Sequence, residues 1–324
     1  MKKLLLIAIG CVTASVHMMA QVDYSVVSVN EESGLNFTRV TSDNDYVCMP
    51  VVRRAGQNVN WYSNRIIDVS KDGQQLAYLS VRNNATNIFI KDIAKQGASV
   101  QRTNRQAVLD FSYSPDGNSI CFTEGNGKMS QIFQTSATSG YVCRQITSAN
   151  QDYTPSYAPD MKSIFFARQE RAGVSVWSYS VERNFLSSYT KGMNPCPLAD
   201  GHSILCTRMN TAGRGEIWRV NYKTGVEECV VSDPARSFTT PSVSPDGQWI
   251  LFVGSNVLHN GTSVYANTDI FACKSDGTQL VQLTYHAADD LSPVWSRDGT
   301  YIYFISQRGS ATGTANVWRI NFVY

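Results

Sequence analysis

The sequence predicts an all-β fold: a six-bladed β-propeller of four-stranded blades, its ring closed by an N-terminal strand. Three observations carry this. One short phrase recurs six times, as DVSKDGQQLAYLS, SYSPDGNSICFTE, SYAPDMKSIFFAR, CPLADGHSILCTR, SVSPDGQWILFVG and VWSRDGTYIYFIS. Its third turn position falls at Gly73, Gly117, Met161, Gly201, Gly247 and Gly299, giving spacings of 44, 44, 40, 46 and 52 residues. Strand–turn–strand units at such a period are the signature of a propeller. Each copy is also followed by a third apolar segment, and most by a fourth.

The first strand of a repeat often begins with proline. Pro155, Pro195, Pro241 and Pro293 each stand six positions before the aligned turn residue. Proline donates no N–H, which suits the start of a strand. The Asp-Gly pair then supplies the positive φ of a tight hairpin. Five positions after the turn residue stand Tyr78, Phe122, Phe166, Cys206, Phe252 and Phe304. This reads as a repeated core position, with Cys206 the exception.

The third strand reads NIFI, QIFQ, SVWSY, EIWRV, DIFAC and NVWRI, from Asn87, Gln131, Ser175, Glu216, Asp269 and Asn316. Ile or Val followed by Phe or Trp favours a strand and predicts packing between neighbouring blades. A more polar fourth strand follows as RQITS, FLSSYT, ECVVS and LVQLT, from Arg144, Phe185, Glu228 and Leu280. The last repeat reaches only its third strand before Tyr324. FTRVTSDNDY from Phe37 is similar to CRQITSANQDY from Cys143. Residues 34–41, centred on Phe37 to Thr41, are therefore the expected closing strand, which would remove an exposed sheet edge.

Residues 1–20 read as a signal peptide: Lys2 and Lys3, a short apolar run from Leu4, and a cleavage site before Gln21. The alternative is lipidation at Cys11. The run is too short to span a membrane, and no later stretch is longer. The mature domain would then be 21–324, exported, in the periplasm or else lipid-anchored or secreted. Removing Lys2 and Lys3 from 28 basic residues leaves 26 against 26 acidic ones, a formal charge of zero. A nucleic-acid partner would require a basic face, so none is expected. Seven cysteines remain after Cys11 is removed, without a zinc-site spacing. Cys121, Cys206 and Cys273 read as small buried hydrophobes. Cys196 and Cys206 flank one hairpin, where a cross-strand disulfide is the alternative to two free thiols.

The repeats resemble those of the TolB family, whose pattern is roughly Leu-Thr, a spacer, Asp, Pro, Ser-Pro-Asp-Gly, then Ile-Phe. The clearest match is LTYHAADDLSPVWSRDGTYIYFIS from Leu283. The resemblance implies a propeller over about residues 35–324 and, by analogy with TolB, an envelope scaffold. The segment before the first repeat is too short for the α/β domain that precedes the propeller in TolB, so contacts depending on that domain are not expected. Similar repeats accompany secreted peptidases and form some sugar-acid lyases, so fold alone does not fix function.

No Gly-x-Ser-x-Gly elbow, His-Glu-x-x-His, phosphate loop or Gly-x-Gly-x-x-Gly occurs. His202 reads as a polar turn residue. His286, Asp289 and Asp290 form a cluster that suits a cation, or else a loop tied by hydrogen bonds. A base recurs after the second strand at Arg82, Arg168, Arg208 and Arg308. These arginines would either read carboxylates or pair with spacer acids such as Asp152 and Asp290. Topology puts them, with His259, on the face opposite the Asp-Gly turns. The insertion 254–268, with Val257, Leu258, His259, Val264 and Tyr265, is longer and more apolar than a connection requires. The expected partner-binding set is Val257, Leu258, His259, Tyr265, His286, Asp289, Asp290, Arg168, Arg208 and Arg308. No catalytic residue, metal ligand or cofactor is expected. The leading function is a non-enzymatic scaffold for an envelope protein or polymer. The alternatives are a metal-dependent lyase or hydrolase of acidic sugars, and a small-ligand or peptide sensor.

Overall fold

The computed structural model describes residues 29–49, 65–95, 97–125, 129–139, 141–148, 151–256 and 267–323. Two short 3-10 turns (Asn30–Glu32 and Asp43–Asp45) flank β1 (Thr38–Arg39); everything else regular among the described residues is strand. The first repeat forms β2 (Ile67–Val69), β3 (Gln75–Arg82), β4 (Ala85–Asp92) and β5 (Val100–Gln101). The second forms β6 (Val108–Tyr113), β7 (Ser119–Gly125), β8 (Ser130–Ser136) and β9 (Cys143–Gln145). The third forms β10 (Gln151–Tyr157), β11 (Ser163–Glu170), β12 (Gly173–Ser180) and β13 (Phe185–Lys191). The fourth forms β14 (Met193–Pro197), β15 (Ser203–Met209), β16 (Gly215–Asn221) and β17 (Glu227–Val231). The fifth forms β18 (Arg236–Val243), β19 (Trp249–Asn256), β20 (Thr268–Lys274) and β21 (Val281–Gln282). The sixth forms β22 (Asp290–Trp295), β23 (Tyr301–Ser306) and β24 (Asn316–Asn321).

Within each repeat the strands pair antiparallel in chain order. One parallel pair, Gln151 with Ser130, joins the second and third repeats into a single eight-stranded sheet. The first strands β2, β6, β10, β14, β18 and β22 pack each against the next, and β22 packs against β2.

The recurring turn explains its own sequence. In the second repeat the Ser114 hydroxyl donates to Asp116 at 2.5 Å, and Asp116 accepts the Asn118 N–H at 3.0 Å. Ser119 N–H returns to Ser114 Oγ at 2.9 Å. The same bonds recur around Asp72, Asp246 and Asp298. The third turn residue has φ between 70° and 78° at the five glycines and 61° at Met161, which carries the strain of a side chain there.

The repeated core position is fully buried in all six repeats. Each such residue faces the aromatic of the next strand directly: Tyr78 with Phe89, Phe122 with Phe133, Phe166 with Trp177, Cys206 with Trp218, Phe252 with Phe271 and Phe304 with Trp318. Directly opposed aromatic pairs are the stabilising unit of an antiparallel sheet.

The threonine that closes the fourth-strand segment, part of a Leu-Thr pair at Leu283-Thr284, also has a job. Thr103, Thr147 and Thr284 each accept the backbone N–H of the third strand, from Ile88, Ile132 and Ile270, at 2.9–3.0 Å. Thr41 accepts Val317 N–H in the same way at 2.8 Å. β1 pairs antiparallel with β24, Thr38 opposite Arg319 and Arg39 opposite Trp318. The segment around Phe37 therefore repeats the bond made by its internal counterparts.

All seven described cysteines are free thiols. Cys121, Cys206 and Cys273 are buried, as expected of core hydrophobes. Cys196 stands opposite Leu205 rather than Cys206. Among the described residues no helix is long and apolar enough to cross a membrane.

Candidate functional site

The loop face begins at the C-terminal end of each second strand, where the arginines sit. Each lies over an aromatic of its own repeat. Arg82 is 4.0 Å from the Phe89 ring centroid, Arg168 is 4.5 Å from Trp177, and Arg208 is 4.7 Å from Trp218. Arg308 is 4.3 Å from Phe37 and 5.2 Å from Phe304. The two repeats lacking this arginine use another: Arg105 lies 4.8 Å over Phe133 and Arg236 lies 5.3 Å over Phe271. Stacking a guanidinium on an aromatic ring covers the ring while keeping the charge solvated or paired.

Pairing with acids follows the local sequence. Asp152 takes Arg168 in a fork, Nε to Oδ1 at 2.7 Å and Nη2 to Oδ2 at 2.9 Å. The position equivalent to Asp152 is Gly192 in the fourth repeat. With φ at 142°, a Cβ there would stand 3.0 Å from Cys206 Sγ and 3.1 Å from Thr207 O, so an aspartate at this position would be strained and crowded. Arg208 turns instead to Glu227 of the outer strand, at 2.7 and 2.8 Å, which holds that carboxyl below its usual range. Arg82 has no spacer acid and donates to Ser80 and Ser99.

Arg308 is the most enclosed of the set. Its Nη1 and Nη2 donate to the two oxygens of Glu32, each at 3.0 Å, and Nη2 also donates to Asp290 Oδ2 at 2.5 Å. The side chains of all three are wholly buried. Glu32 in turn accepts Tyr285 N–H at 2.8 Å, so the segment before β1 is fastened to the fifth and sixth repeats. Asp269 lies among these acids. Burial, then the charges of Asp290, Glu32 and Asp289, pushes its pKa up to about 8.

The His286, Asp289 and Asp290 side chains do not converge. His286 is buried and its Nδ1 accepts Ala288 N–H at 2.9 Å. Asp289 accepts the N–H and hydroxyl of Thr268 at 3.0 and 2.9 Å. Asp290 faces Arg308. Among the described residues no group of three or more His, Cys, Asp or Glu is arranged to hold a metal. His202 is a half-buried turn residue whose N–H donates to Asp200. Of the expected contact set, Arg168, Arg308, His286 and Asp290 are buried and engaged within the protein, so they present nothing to a partner as placed. Their spacer bonds were the alternative reading of the sequence. Arg208 and Asp289 keep partial exposure. Val257, Leu258, His259, Val264 and Tyr265 lie outside the described residues.

One further concavity lies where the first strands meet. It is small, opens to solvent, and is lined by Arg65, Asp110, Thr154, Asn194 and Thr240 with Pro155, Pro195 and Pro241. Thr154, Asn194, Thr240 and Ser292 each precede a strand proline and each has left-handed φ, between 50° and 58°. Each marks a bulge in its strand. Hydrogen bonds at these bulges cross between repeats: Thr154 N–H donates to Asp110 Oδ2, Thr240 N–H donates to Thr207 Oγ1, and the Ser292 hydroxyl accepts Ile66 N–H. Strained, non-glycine backbone around a cavity is a recognised mark of a functional position. The signal was present in the sequence as a polar residue before each of the four prolines, at a fixed offset from the turn.

Comparison with known proteins agrees with this architecture. A family model described as the TolB beta propeller domain matches residues 66–265. The chain belongs to the TolB β-propeller family. The structure of a putative TolB from Agrobacterium tumefaciens superposes with a TM-score of 0.62 at 19% identity, covering 80% of this chain and 90% of that one. TolB from Acinetobacter baumannii gives 0.56 at 18% identity, covering 71% of this chain and 56% of that one. An oligogalacturonate lyase from Vibrio parahaemolyticus gives 0.56 at 11% identity, covering 89% and 97%. At these identities the likeness is one of fold, shared by a TolB and by an enzyme.

Proposed function

We propose that this TolB-family chain is an exported, non-enzymatic scaffold, a six-bladed ring completed by the strand around Phe37 to Thr41. In this reading residues 1–20 are a signal peptide and 21–324 the mature propeller, resident in the periplasm, with lipidation at Cys11 or secretion as the alternatives. It docks an envelope protein or polymer on the loop face, through the partly exposed Arg208 and Asp289 and the 254–268 insertion, and no covalent step follows.

The observation that carries this reading is the internal commitment of the titratable loop-face groups. A lyase or hydrolase requires its acid, base and metal ligands to converge on one substrate atom. Here His286 accepts a backbone N–H, Asp289 fastens Thr268, and Asp290 and Glu32 neutralise Arg308. The cyclic packing of the six first strands and the β1–β24 pairing support the ring. Rigid rings present binding residues on loops, and a few anchors carry most of the affinity.

The test is fractionation of cells making the full chain, with mass spectrometry of the mature N-terminus, followed by chemical cross-linking in the intact envelope. A chain beginning at Gln21, or lipidated at Cys11, with a discrete cross-linked partner supports the proposal. An uncleaved cytoplasmic chain, or cleavage of a polyuronate by the purified protein, overturns it.

A further inference from the structure

One outer strand is unlike the others. β13 has seven residues, Phe185–Lys191, whereas β1, β5 and β21 have two, β9 has three and β17 has five. Native sheets blunt an open edge by keeping it short or by placing charge or proline on it. The other outer strands do one or both. β1 carries Arg39, β9 carries Arg144, β17 carries Glu227 and Glu228, and β5 and β21 are only two residues long. Phe185 to Thr190, by contrast, holds no charge, proline or glycine. β13 ends its sheet and, among the described residues, pairs only with β12. Hydrogen bonds from another repeat reach only its far end, where Thr190 Oγ1 donates to Glu227 at 2.9 Å and Lys191 O accepts Arg208 Nε–H at 3.0 Å.

This edge also presents rings to solvent. Ser178 and Ser180 stand opposite Ser187 and Phe185, and the Ser178 hydroxyl donates to Tyr189 Oη at 3.2 Å. Opposed residues of an antiparallel pair project to the same side, so Phe185, Ser187 and Tyr189 share one face of β13. Phe185 is 63% exposed and Tyr189 36%. Tyr189 is braced from behind by Tyr222 and Phe165, with ring centroids 5.1 and 5.5 Å away. An open row of backbone N–H and C=O groups beside two exposed rings is complementary to another strand.

We propose that β13 pairs antiparallel with β13 of a second copy of this chain, about a twofold axis at Ser187. Such a contact is isologous, the commonest geometry of a dimer. The strand is its own complement in this register. The axis sets Phe185 of each copy opposite Tyr189 of the other, on the shared face, so the cross-strand aromatic pair forms twice. Leu186 falls opposite Ser188. The ladder to β12 shifts register beside Tyr189, so the regular part of the new pair is Leu186 to Ser188, flanked by the two ring pairs. Charge also favours a copy. Phe185 to Thr190 has no charge that asks for an opposite one, and the formal net charge of the whole chain is only +2, too small to hold copies apart. Lys191 of one copy comes beside the turn 181–184 of the other, which carries one acid and one base, Glu182 and Arg183. Antiparallel pairing points the two loop faces in opposite directions. The contact uses none of the residues invoked for the loop-face partner, so each reading stands or fails without the other.

The test is sedimentation equilibrium of the full mature chain, kept in reducing agent so that its free thiols stay unlinked. An interface this short lies at the small end of specific contacts, so the expected dimer Kd is about 1–200 µM. Hydrogen exchange in peptides covering Phe185–Lys191 should slow as the concentration rises through that Kd, with no such change in β5, β9 or β21. Ser188→Lys, at an exposed position, brings two like charges near the axis and should weaken the dimer at least ~10-fold. Phe185→Ser removes the exposed ring and should weaken it by less. Both variants should keep the original thermal midpoint at a concentration where every chain is a monomer, which separates lost pairing from lost folding. A monomer up to about 500 µM, a dimer undiminished in Ser188→Lys, or protection confined to other strands overturns the proposal. Protection of β13 that appears only when envelope extract is added makes a different protein the occupant and overturns it as well.

Discussion

The two faces of this protein are built by opposite rules. On the turn face, four of the six repeats solve the hairpin with one identical set of Ser, Asp and backbone bonds, and the other two keep the aspartate. On the loop face, every repeat caps its aromatic with an arginine, yet the arginine comes from different positions and finds different partners. Uniformity marks what any ring of this kind must do to fold. Variation marks where the chain is free to differ, and burial decides how much each variant solution matters.

The largest expected effect comes from the most enclosed arginine. Arg308→Ala leaves Glu32 and Asp290 buried without a cation, and should cost about 3–5 kcal/mol in urea unfolding. It should also release the segment before β1, read as faster hydrogen exchange at Val40 and Val317. A loss under 1 kcal/mol would break the claim that this network fastens the N-terminal segment.

Asp269, in the same cluster, sharpens the comparison through pH. Its folded pKa, about 8, lies above the unfolded value, so the folded state binds the extra proton. Its contribution is fully present below about pH 4 and is lost as pH rises to about 8. Asp269→Asn should therefore flatten the stability profile across that window and stabilise the protein at pH 8 by more than the ~1.4 kcal/mol of one pKa unit. An unchanged profile would contradict it.

Turn-face effects should be smaller and alike from repeat to repeat. Asp116→Ala removes bonds to Ser114 and Asn118 and should cost roughly 0.5–1.5 kcal/mol, as should Asp246→Ala and Asp298→Ala. The Ser hydroxyl and backbone N–H bonds hold these carboxyls below their usual range. Their modest, solvent-screened contribution is present above the unfolded pKa and disappears as pH falls through the folded one, below about pH 4. Met161→Gly relieves left-handed strain and should stabilise by up to about 1 kcal/mol, offset in part by the entropy of glycine. The smallest effect belongs to Glu227→Ala: the Arg208 pair is partly exposed, and its loss should cost under about 1 kcal/mol.

The turn face was almost entirely legible in the sequence, because each of its bonds is local. Ser114, Asp116 and Asn118 lie within a few residues of one another, and the aromatic at Phe122 follows at a fixed offset. The Arg168–Asp152 and Arg308–Asp290 pairs were legible as one of two readings. The partner of Arg208 was decided by Gly192, whose meaning depends on the nearby Cys206 side chain and Thr207 carbonyl. Glu32 reaches Arg308 across 276 positions of the chain, and nothing near Glu32 signals it. The left-handed residues before the prolines carried a pattern, but its consequence appears only when the repeats are brought around a common opening.

The central claim is that the turn face supports the ring while the loop face meets the partner. Site-specific photo-cross-linking in living cells tests it most directly. A photoreactive residue is placed at loop-face positions Asn84, Ala172, Ala212 and Ala311, and at turn-face positions Gln74, Asn118, Lys162 and Thr300, all exposed. The account predicts one discrete cross-linked species from two or more loop-face positions and none from the turn face. Cross-links from the turn face alone, or equally from both, would contradict it.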